Sequence, residues 1–174
     1  MIVVVAGVAG SGKTTVGQLL AVRLGWMFAD GDSFHPPANV AKMRAGLPLT
    51  DLDRVPWLAA MTSWMDDIIA SGQSAVLACS ALKRRYRDNL LGNRESAQLV
   101  FLRISKGQCE ARLAARTGHF FHKPLLASQF GDLEMPLEEP RVHTISVGDR
   151  PATHVVAEII GVLGLEPAGQ PHAS

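Results

Sequence analysis

The residues Gly7-Val8-Ala9-Gly10-Ser11-Gly12-Lys13-Thr14 fit the pattern G-x-x-x-x-G-K-[ST] and sit between a β-branched run, Ile2–Ala6, and a stretch with helical spacing, Lys13–Leu24. Strand, glycine-rich turn and helix in that order leave little choice of local fold. Glycines let the backbone curl until its N–H groups face a common centre, and the helix that follows adds the positive end of its dipole. Such a turn holds phosphate groups. In a site of this kind the Lys13 ammonium reaches the β- and γ-phosphates of a nucleotide, and the Thr14 hydroxyl ligates Mg²⁺.

The alternation continues to about residue 163. Val16, Leu19, Leu20 and Leu24 share one helix face, Gly25 stops that helix, and residues 26–29 read as a second strand. Pro36 and Pro37 suit the first turn of a helix ended by Gly46 and Pro48. Thr50 with Asp53 makes a capping-box-like start for a longer helix, with Leu58, Met61, Met65, Ile68 and Ile69 inward. After Gly72, Ala75–Cys79 is a third strand, with Ser80 as cap of the next helix. Residues 99–104 form a fourth strand, and Ser105 caps a helix to about Arg116. A mobile loop over 117–123, a short helix after Pro124 and a fifth strand over 142–147 follow. The last helix starts near Pro151 and buries Val155, Ile159, Ile160 and Leu163, and residues 166–174 have the composition of a disordered tail.

Five strands separated by helices predict an α/β fold: one domain over residues 1–165, a parallel sheet with right-handed crossovers, and helices on both faces. Ligands in such sheets bind beyond the carboxyl ends of the strands, here just after Ala6, Ala29, Cys79, Ile104 and Val147.

Charge narrows the partners. Residues 83–123 hold ten basic and three acidic side chains, +7, while 124–174 carry −5 and the first 82 carry −1, for a net +1 over 174 residues. A cationic block inside a near-neutral chain suits a small polyanion better than a nucleic-acid backbone. The longest apolar run, residues 1–10, is about half of the ~20 residues a membrane span needs, and no positive charge precedes it as in a secretory signal. A cytoplasmic location without membrane association is expected. Cys79 and Cys109 are too few for a disulfide framework and read as packed free thiols.

Asp30-Gly31-Asp32 follows the second strand, and the i, i+2 spacing sends both carboxylates toward one cleft. One carboxylate can hold Mg²⁺ through water while the other accepts the proton of an attacking hydroxyl. In isolation this tripeptide is an acidic turn and helix cap; its position beside a phosphate-binding loop reverses that preference in favour of a catalytic pair. His35 and Arg54 gain a binding role by the same proximity, although Arg54 could instead pair with Asp51 or Asp53.

The chain resembles the gluconokinases, P-loop small-molecule kinases related to shikimate and adenylate kinases. The resemblance rests on Gly31-Asp32-Ser33-Phe34-His35-Pro36, Asn39, Lys42-Met43, Gly46, Pro48-Leu49, Asp51, Asp53-Arg54 and Pro56-Trp57-Leu58. Cys79-Ser80-Ala81-Leu82-Lys83, Tyr86-Arg87-Asp88, Gly118-His119-Phe120, Ser128-Gln129-Phe130, Leu133-Glu134 and Pro136 extend it. It implies a three-layer fold with strand order 2-3-1-4-5, a mobile lid over about 116–124, and ATP phosphorylating the 6-hydroxyl of D-gluconate. By the same resemblance Gly7, Gly10, Ser11, Gly12, Lys13, Thr14, Thr15, Arg112 and Arg116 hold the nucleotide, and Thr14 and Asp30 hold Mg²⁺. Lys13, Asp32 and Arg116 serve catalysis. Asp32, His35, Arg54, Lys83, Arg87, His119 and Gln129 bind the sugar acid, and a homodimer is the assembly common in the family.

Two departures stand out: Cys79-Ser80 ends the third strand without an aspartate, and the fifth ends Ser146-Val147-Gly148, also without one. A shikimate or other small-hydroxyl kinase is the nearest alternative, opposed by the G-D-x-x-H-P block and by the missing Gly-Gly-Gly loop after the third strand. A nucleotide-dependent switch would leave Asp32, His35 and Arg54 without purpose.

Overall fold

The computed structural model describes residues 1–115 and 123–169. Five strands, β1 (Ile2–Ala6), β2 (Met27–Asp30), β3 (Ala75–Cys79), β4 (Ala97–Arg103) and β5 (Val142–Ser146), form one all-parallel sheet in the order β2-β3-β1-β4-β5. Every residue of β1 is fully buried, as a β-branched run at the centre of a doubly covered sheet must be. Helices α1 (Lys13–Leu24) and α7 (Ala152–Leu163) pack together, as do α3 (Asp51–Ala70) and α4 (Arg84–Leu91). The remaining helices are α2 (Pro37–Arg44), α5 (Lys106–Ala114) and α6 (Lys123–Asp132).

Local signals placed most boundaries. The Thr50 hydroxyl accepts the Asp53 N–H at 3.2 Å while the Asp53 carboxylate accepts the Thr50 N–H at 2.8 Å, the reciprocal box that starts α3; such a cap is worth about 1 kcal/mol. Ser105 and Gln108 do the same for α5. Ile69, Ile160 and Leu163, expected inward, lie half-exposed against the core, while Val156 on the last helix is fully buried.

Ser80 is not a helix cap. Its carbonyl accepts the Gly7 N–H at 3.3 Å, and Ala81 turns into a left-handed conformation, φ 38°, so that α4 begins only at Arg84. The strand edge thus holds the phosphate-binding loop rather than starting a helix. β2 runs one residue further than expected and ends on Asp30 itself. At the far end the Ala168 N–H donates to Arg23 O at 2.9 Å, so the expected tail is tied to α1 at its start, and residues 170–174 lie outside those described. The expected lid, with Arg116 and His119, lies outside the described residues except for its last positions. Among the described residues no helix is long and apolar enough to cross a membrane.

Candidate active site

Three cavities line up along the carboxyl edge of the sheet. The largest, about 600 Å³, is bounded by Lys13, Asp32, His35, Arg44, Arg54 and Gln129 among others. A second, about 280 Å³, lies between Gly10, Gly12, Lys13, Thr14, Asp30 and Asp32. A third, about 360 Å³, is walled by Thr15, Arg112, Val147, Arg150 and Val155. Ala9, Lys13 and Asp32 border both of the first two.

The loop geometry follows from its glycines. Gly7 has φ 146°, and a Cβ there would stand 2.8 Å from Ser11 Oγ and 2.9 Å from Leu102 O, so only glycine lets the chain leave β1 against β4. The Ser11 hydroxyl, though buried, has no hydrogen-bond partner among the described residues. An orphaned donor inside a ring of glycines fits a phosphate oxygen. Lys13 Nζ donates to Val8 O at 3.0 Å. Burial lowers the Lys13 pKa from the usual lysine value, and the charge of Asp32 opposes that shift.

Gly31 presses so close to β3 that an added Cβ would lie 2.7 Å from Cys79 Cβ and 2.8 Å from Ala78 O. The two flanking aspartates are thereby held at the sheet edge. Asp30 Oδ2 accepts from the Thr14 hydroxyl at 3.0 Å, and Asp30 Oδ1 accepts the Asp32 N–H at 3.1 Å. This pairing of Thr14 with a carboxylate fits a hydrated Mg²⁺. Asp32 itself is exposed and borders both cavities.

His35 stacks on Trp57 with ring centroids 4.7 Å apart, and Trp57 Nε1 donates to Gly31 O at 2.7 Å. The buried Trp57 therefore also holds the aspartate turn. Burial lowers the His35 pKa, Asp32 works against this, and Arg54 adds to it, so the surroundings favour the neutral ring. Asn39 Nδ2 lies 3.3 Å from His35 Nδ1 and donates to Asp53 O at 2.7 Å, joining the histidine to the start of α3. Lys42 pairs with Asp53 at 2.7 Å; that bond, with the Thr50 bonds, brings the Asp53 pKa down to about 2. Asn39, Lys42 and Asp53 bear no chemistry in the sequence reading, because their role depends on α2 meeting α3 in space. The buried Cys79 thiol beneath the loop is pushed up to about 12 by desolvation, which keeps it protonated and inert.

Three of the expected acid-binding cations are held differently. Arg54 borders the large cavity, but Nη2 donates to Asp132 at 3.0 Å and Nη1 to Tyr86 Oη at 3.1 Å. Lys83 lies between Asp51 at 3.0 Å and Asp132 at 3.2 Å. Arg87 is fully buried: it grips Glu139 through Nε at 2.8 Å and Nη2 at 2.6 Å, and Nη1 donates to Ala81 O and Leu82 O. Arg87, expected among the substrate-binding residues, is not brought to the large cavity; its guanidinium holds the left-handed turn after β3. Arg87→Ala is expected to lower the unfolding free energy by about 3–5 kcal/mol, since it strands the Glu139 carboxylate. Urea denaturation measures this; a variant of unchanged stability with weakened substrate binding would return Arg87 to the cleft.

On the remaining sides, Gln129 Oε1 accepts the Ala9 N–H at 2.6 Å, so α6 is attached to the loop directly. Arg112 Nη1 donates to Gly10 O at 3.4 Å and Ser11 O at 3.3 Å, and Nη2 donates to Gly148 O. It ties the loop to the end of β5 beside the third cavity.

Residues 9–161 match the family model described as shikimate kinase. The chain is 48% identical over 157 residues to a gluconokinase of Gluconobacter oxydans (strain 621H), covering 90% of this chain and 88% of the other. Among solved structures it is similar to a gluconokinase from Sinorhizobium meliloti 1021, with TM-score 0.83, 42% identity, and 93% and 90% of the two chains covered. An unliganded sugar kinase from Janibacter sp. HTCC2649 superposes with TM-score 0.87 at 40% identity over 98% of each chain.

Proposed function

This chain belongs to the gluconokinases, within a domain family named for shikimate kinase, and on that premise we propose that it transfers the γ-phosphoryl group of ATP to the 6-hydroxyl of D-gluconate, giving 6-phospho-D-gluconate and ADP. The observation that carries this reading is the meeting of two cavities at Lys13 and Asp32. A phosphate donor in the smaller and a polyol in the larger would bring their reacting ends together there.

The phosphate groups lie on the loop N–H groups, with Ser11 Oγ, otherwise unpartnered, donating to an oxygen. Thr14 and Asp30 would hold Mg²⁺, which would supply charge neutralisation to the phosphate groups. Asp32 accepts the proton of the 6-hydroxyl as its oxygen forms the new O–P bond. The bond between the γ-phosphorus and the bridging oxygen breaks, the electron pair leaves with ADP, and Lys13 balances the charge on the transferring group. His35 and Gln129 line the acceptor side and orient the polyol, and Arg54 borders the same cavity. Thr15 and Arg112 border the third cavity, where the nucleoside lies.

A coupled ADP-release assay over a panel of aldonic acids and shikimate tests the reading. Turnover with D-gluconate well above that with shikimate is expected, and the reverse preference would overturn it. Asp30→Asn should raise the Mg²⁺ concentration for half-maximal rate by about 10–100-fold, because the hydrated ion loses a carboxylate. An unchanged Mg²⁺ titration would place the metal elsewhere.

A further inference from the structure

The large cavity needs a positive charge for an acid substrate, and its cations are not equivalent. Lys13 faces the phosphate side. Arg54 meets Asp132 at 3.0 Å and Asp51 at 3.7 Å, both of which also meet Lys83, and Arg85 outside the cleft joins Asp51 as well. Arg87 is consumed by Glu139. Among the described arginines and lysines bordering this cavity, only Arg44 has a side chain without a hydrogen bond or ion pair to a described residue.

Its position is nonetheless defined. Arg44 closes the last turn of α2, and that helix is pinned to the start of α3 by the buried Asn39, donating to Asp53 O at 2.7 Å, and by the Lys42–Asp53 pair at 2.7 Å. Met43, Pro48 and Leu49 flank it along the same wall. An arginine at a helix C-terminus is favoured by the dipole alone. That accounts for a cation in the turn, but not for an arginine that borders the same cavity as Asp32 and Lys13. A carboxylate entering here would find its fork of donors unoccupied, whereas binding to Arg54 or Lys83 would require competing with carboxylates already in place.

We propose that Arg44 is the specificity-determining residue that receives the substrate's carboxylate, so that the acid end of the sugar lies at the last turn of α2 and the hydroxyl end at Asp32. This rests on the reading of the acceptor as gluconate. Arg54 and Lys83 then act as a neutralised frame that holds α3, α4 and α6 together around the cleft.

Steady-state kinetics of Arg44→Ala and Arg44→Lys, with folding checked by thermal melts, test the assignment. Loss of a charge-assisted contact at a partly solvated site should raise the KM for D-gluconate about tenfold in Arg44→Ala, with kcat and the KM for ATP within about twofold of wild type. Arg44→Lys should recover most of the loss, and added salt should raise the wild-type KM far more than that of Arg44→Ala. A gluconate KM in Arg44→Ala within about twofold of wild type would overturn the proposal, as would equal losses in Ala and Lys variants or a loss confined to kcat. If the wild type itself fails to turn over gluconate, the gluconate reading fails and takes this assignment with it. Normal wild-type turnover with an indifferent Arg44→Ala removes the assignment alone.

Discussion

Lys13→Ala is expected to leave a folded protein whose phosphoryl transfer is slower by about 10³-fold or more, the scale on which a preorganised charge at the reacting phosphate contributes. The prediction follows from position. Lys13 starts α1 at the end of the glycine loop, its ammonium is anchored on Val8 O, and it borders both the phosphate and acceptor cavities. Burial lowers its pKa, a shift that the negative charge of a phosphate would oppose. Single-turnover kinetics with saturating ATP separates slow chemistry from weak binding. A Lys13→Ala variant that keeps near-wild-type turnover would place the transferring group elsewhere.

Asp32→Asn should lower kcat by about 10²–10⁴-fold while leaving the KM for ATP nearly unchanged. Asparagine keeps the size of the side chain and cannot accept the hydroxyl proton. The backbone bond that shapes the turn, from the Asp32 N–H to Asp30 Oδ1, does not involve the Asp32 side chain, so the local fold should survive. Asp30→Asn disturbs the Thr14 contact instead. The two variants therefore separate proton transfer from metal binding. Near-wild-type kcat in Asp32→Asn, together with loss in Asp30→Asn at any Mg²⁺ concentration, would mean that the roles are exchanged.

Local chemistry made much of the fold readable. Ile2–Ala6, Lys13–Leu24 and Ala75–Cys79 stand where their patterns placed them, because β-branched runs and helical spacing are properties of adjacent residues. The parallel sheet in the order 2-3-1-4-5 agrees with the resemblance to P-loop kinases. Ser80 misled because serine after a strand is an ordinary helix cap, and only the Gly7 bond to its carbonyl and the Ala81 turn show another use. Arg87 is placed by a contact just as remote from its own sequence neighbours. Its burial depends on Glu139, 52 residues away, and nothing in Tyr86-Arg87-Asp88 announces that partner. Arg44 carried no motif at all. What distinguishes it is that the other cleft arginine, Arg54, is matched by a carboxylate from α6, a fact of three-dimensional charge pairing.

The position of the phosphoryl group in the product is the most direct test of the account. With D-gluconate, ATP and Mg²⁺, phosphorus–proton correlation NMR of the reaction mixture should show a single new phosphomonoester whose phosphorus couples to the C6 methylene protons. A phosphomonoester at another carbon, or release of inorganic phosphate without any sugar ester, would contradict the placement of the acceptor hydroxyl between Asp32 and Lys13.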